Sequence, residues 1–374
     1  MDNHSTAAGL EGLSDQSARG TQKRQVLELL ATGGLEALLK APDNLERLTT
    51  CEALLDRSWV LRHHDPEEMK QLAQFAVLVA DRLRVEEIGS EELLSLRCRA
   101  WTELGNAFRV NDELDEAEEA LGRAAELYRL SGLRDDLLGA RLYTVLASLY
   151  GARRHFKMAL TGFDAAVGIY RKCGDGHLVG RTLITKGIFI GYEGDADEAV
   201  RLIRRGLVSI DERRDPGLVF SAHQTLARFL SDCGHFREAQ ITLWHLRRNW
   251  LDMGGRVNQL KVRWLEGQIE ASQGKLGRAE EALQEVKQGF AEADLPYKAA
   301  LAGLELGAVW LRLGRADEAE KVVLECTEVF FSRRIQRETM AAVLVARKAT
   351  EMKLLTLEVL NSVIERLRRE ERER

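Results

Sequence analysis

The chain has 374 residues, 45% of them hydrophobic and 30% charged, with 54 basic against 59 acidic side chains and a formal net charge of −5. That balance gives no general attraction to phosphate backbones or anionic lipid, and no stretch reaches the about 18 consecutive apolar residues of a membrane span. The first twenty residues, to Gly20, lack the basic start and apolar run of a secretory signal; five widely spaced cysteines, never in a Cys-x-x-Cys pair, predict a reducing, cytoplasmic setting.

Only four prolines among long amphipathic segments predict an all-α chain. In chain order, residues 1–20, rich in Ser, Gly, Ala and Asp, are expected to form a disordered tail. Residues 21–92 are expected to hold N-terminal helices and a degenerate first repeat. A short helix runs from Gln22 to about Leu30, an apolar segment from Leu35 to Lys40 follows Gly33-Gly34, and a full helix covers Asn44 to Arg62. Asp65-Pro66-Glu67-Glu68 then opens a helix, because Asp caps free amides, Pro fits the first turn and Glu falls at the third helical position.

Residues 93–333 repeat one helical pair six times. Ala117, Ala159, Ala199, Ala239, Ala279 and Ala319 mark the copies, at an interval of 42 and then four of 40. Twelve residues before each marker stand Gly105, Ala147, Gly187, Ala227, Gly267 and Gly307, and four after it Leu121, Phe163, Ile203, Leu243, Leu283 and Val323. Small residues thus face large ones across a recurring contact, as in hairpins that bury their apolar stripe only by stacking. An aromatic-rich column eleven after the marker, from Tyr128 to Phe330, falls in the core by its phase. Gly194, Gly234, Gly274 and Gly314 stop the first helix of four copies, while Asn111-Asp112 and Arg153-Arg154 take that place in the first two. Pro216 and Pro296 fall in links between copies, where they start the next helix. Residues 334–374 read as capping helices, with Leu360, Val363, Ile364 and Leu367 on one face and a solvated end from Arg366 to Arg374.

The copy WTELGNAFRVNDELDEAEEALGRAAELY, with Trp101, Leu104, Gly105, Phe108, Ala117, Leu121 and Ala124 in register, resembles the tetratricopeptide repeat, and the resemblance covers about residues 43–371. The period is nearer 40 than 34, the proline that usually ends the second helix is missing, and Lys186, Glu266 and Glu270 occupy apolar positions. These long repeats resemble those of scaffold adaptors and of Rap-type peptide-sensing regulators of bacteria. The resemblance implies a right-handed α-solenoid of stacked antiparallel helix pairs, with a concave groove lined by the first helix of each pair.

It also implies partner binding rather than chemistry. Groove positions in the family lie about 18, 15, 11 and 8 residues before the marker alanine. Here they nominate Arg99, Thr102, Asn106, Arg109, Arg141, Ser148, Arg181, Arg228, Lys261, Trp264 and Gln268. Such a line of arginines can make forked hydrogen bonds to carboxylates, so the groove is expected to take an acidic or carboxylate-bearing peptide or partner-protein segment. The plainer reading of the same arginines is that they lie over their own helices and pair with acids such as Asp135, Asp136 or Glu103. The carboxylate clamp of some family members is not matched, because Val145 stands where the next copy would need Asn after Asn106.

No His-Glu-x-x-His stretch, P-loop or dinucleotide fingerprint is present, and no nucleophile, base and orienting group can be assembled. The expectation is a non-enzymatic protein without cofactor or metal, binding protein or peptide with no direct contact to nucleic acid or membrane. Three readings stand: an adaptor or scaffold, a peptide sensor controlling a separate transcription factor or signalling partner, and a phosphatase of the Rap kind using Gln22, Gln25 or Gln71.

Overall fold

A computed structural model describes residues 20–34, 36, 47–62, 65–133, 136–250, 255–331, 343–344, 346–347, 349–351 and 353–373. Residues 1–19 of the predicted tail lie outside them, as do Asp135 and the predicted segment from Leu35 to Lys40 apart from Glu36. Among the described residues all regular structure is helical, so the fold is all-α, built from antiparallel helix pairs. It divides into two compact units, Met1–Leu183 and Ile184–Arg374, with the boundary inside one helix, α9.

The first unit contains α1 (20–34), α2 (Arg47–Leu61), α3 (Pro66–Arg82), the single turn α4 (Val85–Ile88), α5 (Ser90–Val110), α6 (Leu114–Ser131), α7 (Leu137–Ala152), α8 (Phe156–Lys172) and the start of α9 (Gly176–Glu193). The second unit takes the rest of α9, then α10 (Ala196–Ser209), α11 (Pro216–Asp232), α12 (Phe236–Trp250), α13 (Gly255–Ser272), α14 (Leu276–Glu292), α15 (Pro296–Arg312), α16 (Ala316–Phe331) and a terminal helix, α17 (Leu357–Glu373).

Register explains the hairpins. All six marker alanines have zero exposure. In α5 a Cβ placed on Gly105 would lie 2.6 Å from Leu121 of α6, and in α9 one on Gly187 would lie 3.0 Å from Ile203 of α10. The same meeting joins Gly267 to Leu283 at 3.2 Å and Gly307 to Val323 at 3.4 Å. Nothing larger than a methyl fits closely at these places, and at Gly105 even a methyl would overlap Leu121, so the small column sets the interhelical distance and the large column fills what remains. Phe163, Phe290 and Phe330 are wholly buried in consequence.

The turns follow the same rule. Gly234, Gly274 and Gly314 sit at φ 77°, and the matching positions in the first two copies, Asp112 and Arg154, adopt φ 62° and 61°. The left-handed turn is therefore kept even where no glycine supplies it. A second left-handed column, Gly132, Gly174 and Asp294, lies fifteen residues after the marker and closes the second helix. Asp65, Asp136, Asp195 and Asp215 cap the helices that follow them, and Pro66, Pro216 and Pro296 occupy first turns.

One boundary and one contact differ from expectation. The first helix begins at residue 20 and is helical through Gly34, rather than stopping near Leu30. At the other end α17 is helical through Glu373, and its buried Leu360, Val363, Ile364 and Leu367 pack against α15. Its Arg368 is pinned on Glu305 at 2.6 Å instead of trailing in solvent, because Leu367 beside it is drawn into the core.

Candidate binding sites

In the first unit the groove positions converge on an ionic cluster. Arg141 reaches from α7 to α5 and grips Glu103 with both Nε and Nη2, each bond 2.7 Å long. Burial pushes the Glu103 carboxyl up, but the charge and hydrogen bonds of Arg141, with Arg99 and Arg181 beyond, overcome it and hold the carboxyl below its usual range. Arg99 meets Asp56 of α2 at 2.7 Å, and Lys23 of α1 meets the other oxygen of the same carboxylate. The guanidinium carbons of Arg62, Arg141 and Arg181 lie 3.9, 4.4 and 3.8 Å from the centre of the Trp59 ring. One indole thus braces three cations that would otherwise repel each other.

The remaining predicted residues of this unit are partly spent on the helix itself. Thr102 is fully buried and donates to the carbonyl of Cys98, and Ser148 donates to that of Thr144. Arg109 donates to Asn106 at 3.0 Å, while its Nε is buried without an acceptor. Burial, with the Arg141 charge nearby, brings Arg109 down to about 10.

In the second unit all four predicted residues, Arg228, Lys261, Trp264 and Gln268, line one cavity of about 730 Å³. Its walls are the first helices of three successive copies, α11, α13 and α15, closed on one side by Leu357, Asn361 and Ile364 of α17. Five basic side chains, Arg228, Lys261, Lys298, Arg312 and Arg368, border it against three acids, Asp232, Glu305 and Glu365. Glu305 is buried in the wall, where Trp264 Nε1 donates at 2.8 Å, Gln268 at 3.1 and 3.2 Å and Arg368 Nε at 2.7 Å. A buried carboxylate with that many donors is satisfied, and it ties α13, α15 and α17 together.

Sequence reasoning does not reach Glu305, Trp59 or Arg368. A signal for the first exists, since Glu103 and Glu305 share one register, fourteen residues before their marker alanines. Glu103 then meets a side chain 38 residues onward, and Glu305 meets two lying 37 and 41 residues back, all close to one period. Of the oddities, Glu266 pairs with Arg247 at 2.8 Å and Arg263 at 3.3 Å, whereas Glu270 only approaches Lys275 at 3.5 Å and its buried Oε2 accepts no hydrogen bond. Gln25 and Gln71 are exposed, and the half-buried Gln22 has a side-chain oxygen without a donor.

No family model matches the chain, and no curated protein matches it in sequence. Solved structures do match its fold. A Rap protein complexed with competence and sporulation factor superposes with a TM-score of 0.61 at 13% identity, covering 87% of this chain and 88% of that one. The apo form of the quorum sensor NprR from B. thuringiensis gives 0.55 at 12% identity, covering 95% and 99%. Aspartyl phosphate phosphatase F from Bacillus subtilis gives 0.53 at 13% identity, covering 81% and 79%. The chain therefore has the tetratricopeptide-type helical-repeat fold of Rap-like proteins.

Proposed function

We propose that this chain is a non-enzymatic binding protein that holds a peptide, or an extended segment of a partner protein, in the cavity of its second unit. The observation that carries the reading is the cavity itself, built from corresponding positions of three consecutive repeats. Its volume lies within the roughly 300–1,000 Å³ of small-ligand sites, and its basic border favours an acidic segment. The net charge of −5 supports a protein or peptide partner over nucleic acid or a membrane surface, and among the described residues no helix is long and apolar enough to cross a membrane. A cytoplasmic location is consistent with a chain whose cysteines are free thiols.

The test is selection of displayed dodecapeptides on the full chain, followed by calorimetry against Ala308→Trp. Ala308 lines the cavity, and an indole there would fill it. Selected peptides should lose at least about tenfold in affinity, which is about 1.4 kcal/mol. Peptides that bind both proteins equally would remove the cavity as the site.

A second reading, a peptide sensor that controls a separate transcription factor or signalling partner, draws support from α17. That helix is both a wall of the cavity and a latched element, held by Arg368 on Glu305 and by the Tyr297 hydroxyl on the Leu367 carbonyl at 3.1 Å. A ligand in the cavity therefore touches α17 directly. Altered amide exchange in α17 on peptide binding supports the sensor; unchanged exchange there leaves a static scaffold or adaptor.

A further inference from the structure

We propose that Arg228 is the seat for a carboxylate of the ligand, a statement that rests on the cavity of the second unit being a peptide site. Arg228 projects from α11 with its guanidinium carbon 5.1 Å from the Tyr192 ring centre and 4.8 Å from that of Phe229. The Phe229 ring is itself fixed. A Cβ on Gly191 would fall 2.1 Å from it, so the ring occupies space that only glycine leaves open.

Held this way, the Arg228 Nε and Nη2 are buried and make no hydrogen bond. These are the same two nitrogens with which Arg141 grips both oxygens of Glu103 in the first unit. One fork is filled by a carboxylate of the chain. The other is prepared and unanswered.

The buried acid of the wall does not answer it. Glu305 is committed to Trp264, Gln268 and Arg368. The other arginine on the border, Arg312, already donates to the Ala271 carbonyl at 2.6 Å. Buried guanidinium donors without acceptors are costly, and aromatic faces offset only part of that cost, so a planar, two-oxygen anion brought by the ligand is the complement this geometry lacks. Arg228 lines the cavity, and a bound segment reaches its buried Nε and Nη2 once the guanidinium turns from the rings toward the cavity. The carboxylate can come from a peptide C-terminus or from an Asp or Glu side chain.

Four pools of random pentapeptides separate the cases on the immobilised full chain: C-terminus free or amidated, each with or without Asp and Glu. Retention of every pool that carries a carboxylate, with loss of the amidated pool lacking Asp and Glu, is the expected result. Which single-source pool is held more strongly names the carboxylate. If the carboxylate-free pool is retained equally, the seat is wrong while peptide binding stands. If no pool is retained, peptide binding itself fails and takes the seat with it. Arg228→Gln should weaken the retained peptides about 10- to 100-fold, and Arg228→Lys, which keeps charge but not the fork, should fall between. Equal retention by a folded Arg228→Gln protein would overturn the proposal, and the amidation comparison decides the matter on the unmodified chain should that variant not fold.

Discussion

Replacing Arg141 with methionine keeps most of the side-chain volume and deletes one guanidinium, which leaves Glu103 charged in a wall where its side chain is 9% exposed. Removing one partner of a buried pair costs roughly 3–5 kcal/mol. Two features of the cluster lower the figure: Arg99 and Arg181 still favour the carboxylate, and the Arg141 side chain is 19% exposed, so water enters the gap. We expect a loss of about 3 kcal/mol at pH 7, read from urea unfolding followed by circular dichroism.

The sign of the pH dependence follows from the carboxyl. In the native chain its pKa is held below the ordinary 4.5, so its contribution is intact above that pH and is lost as pH falls through the lowered value. In the variant, burial meets weaker opposition and raises the pKa above the unfolded one. Proton uptake by the folded state then relieves the variant as pH drops from 7 toward 4.5. The deficit should therefore shrink over that interval. Pairing the change with Glu103→Gln should cost less than the sum of the two singles, because no buried charge remains. A deficit under about 0.5 kcal/mol at pH 7, or one that does not change with pH, would refute the reasoning.

The contact between small and large columns predicts that Gly105→Ala, whose methyl would lie 2.6 Å from Leu121, costs about 1–3 kcal/mol, whereas Gly267→Ala, nearest neighbour 3.1 Å, costs less; urea midpoints in the reverse order would contradict it. At the turns, Arg154→Gly should raise stability by about 0.5 kcal/mol by relieving a left-handed arginine, and Gly234→Ala at φ 77° should lower it by about 1 kcal/mol, both checked by chemical denaturation. Burial pushes the thiols of Cys51 and Cys326 up to about 12 and that of Cys98 to about 11. Mass spectrometry after brief iodoacetamide labelling at pH 8 should find the exposed Cys173 modified first and those three only after unfolding; early labelling of Cys51 would show that the core it occupies opens readily.

The amino-acid sequence by itself determined the local unit. Spacing placed Gly105 against Leu121 and Gly307 against Val323, because a hairpin of two helices has few ways to interlock and its side-chain sizes write the register directly. It also marked Pro216 and Pro296 as helix starts and the turn at Arg154 as the counterpart of Gly234, since backbone conformation is dictated over a few residues. What it could not decide was which charge each arginine meets. Arg99 finds Asp56 43 residues away and Arg141 finds Glu103 38 away, while Arg228 lies against two aromatic rings. Those outcomes depend on how each copy is rotated and shifted against the next, a quantity set by packing summed over many contacts. Only the tertiary structure brought α17 against α15, committed Glu305 to Trp264, Gln268 and Arg368, and so enclosed a cavity beside an arginine with no carboxylate to hold.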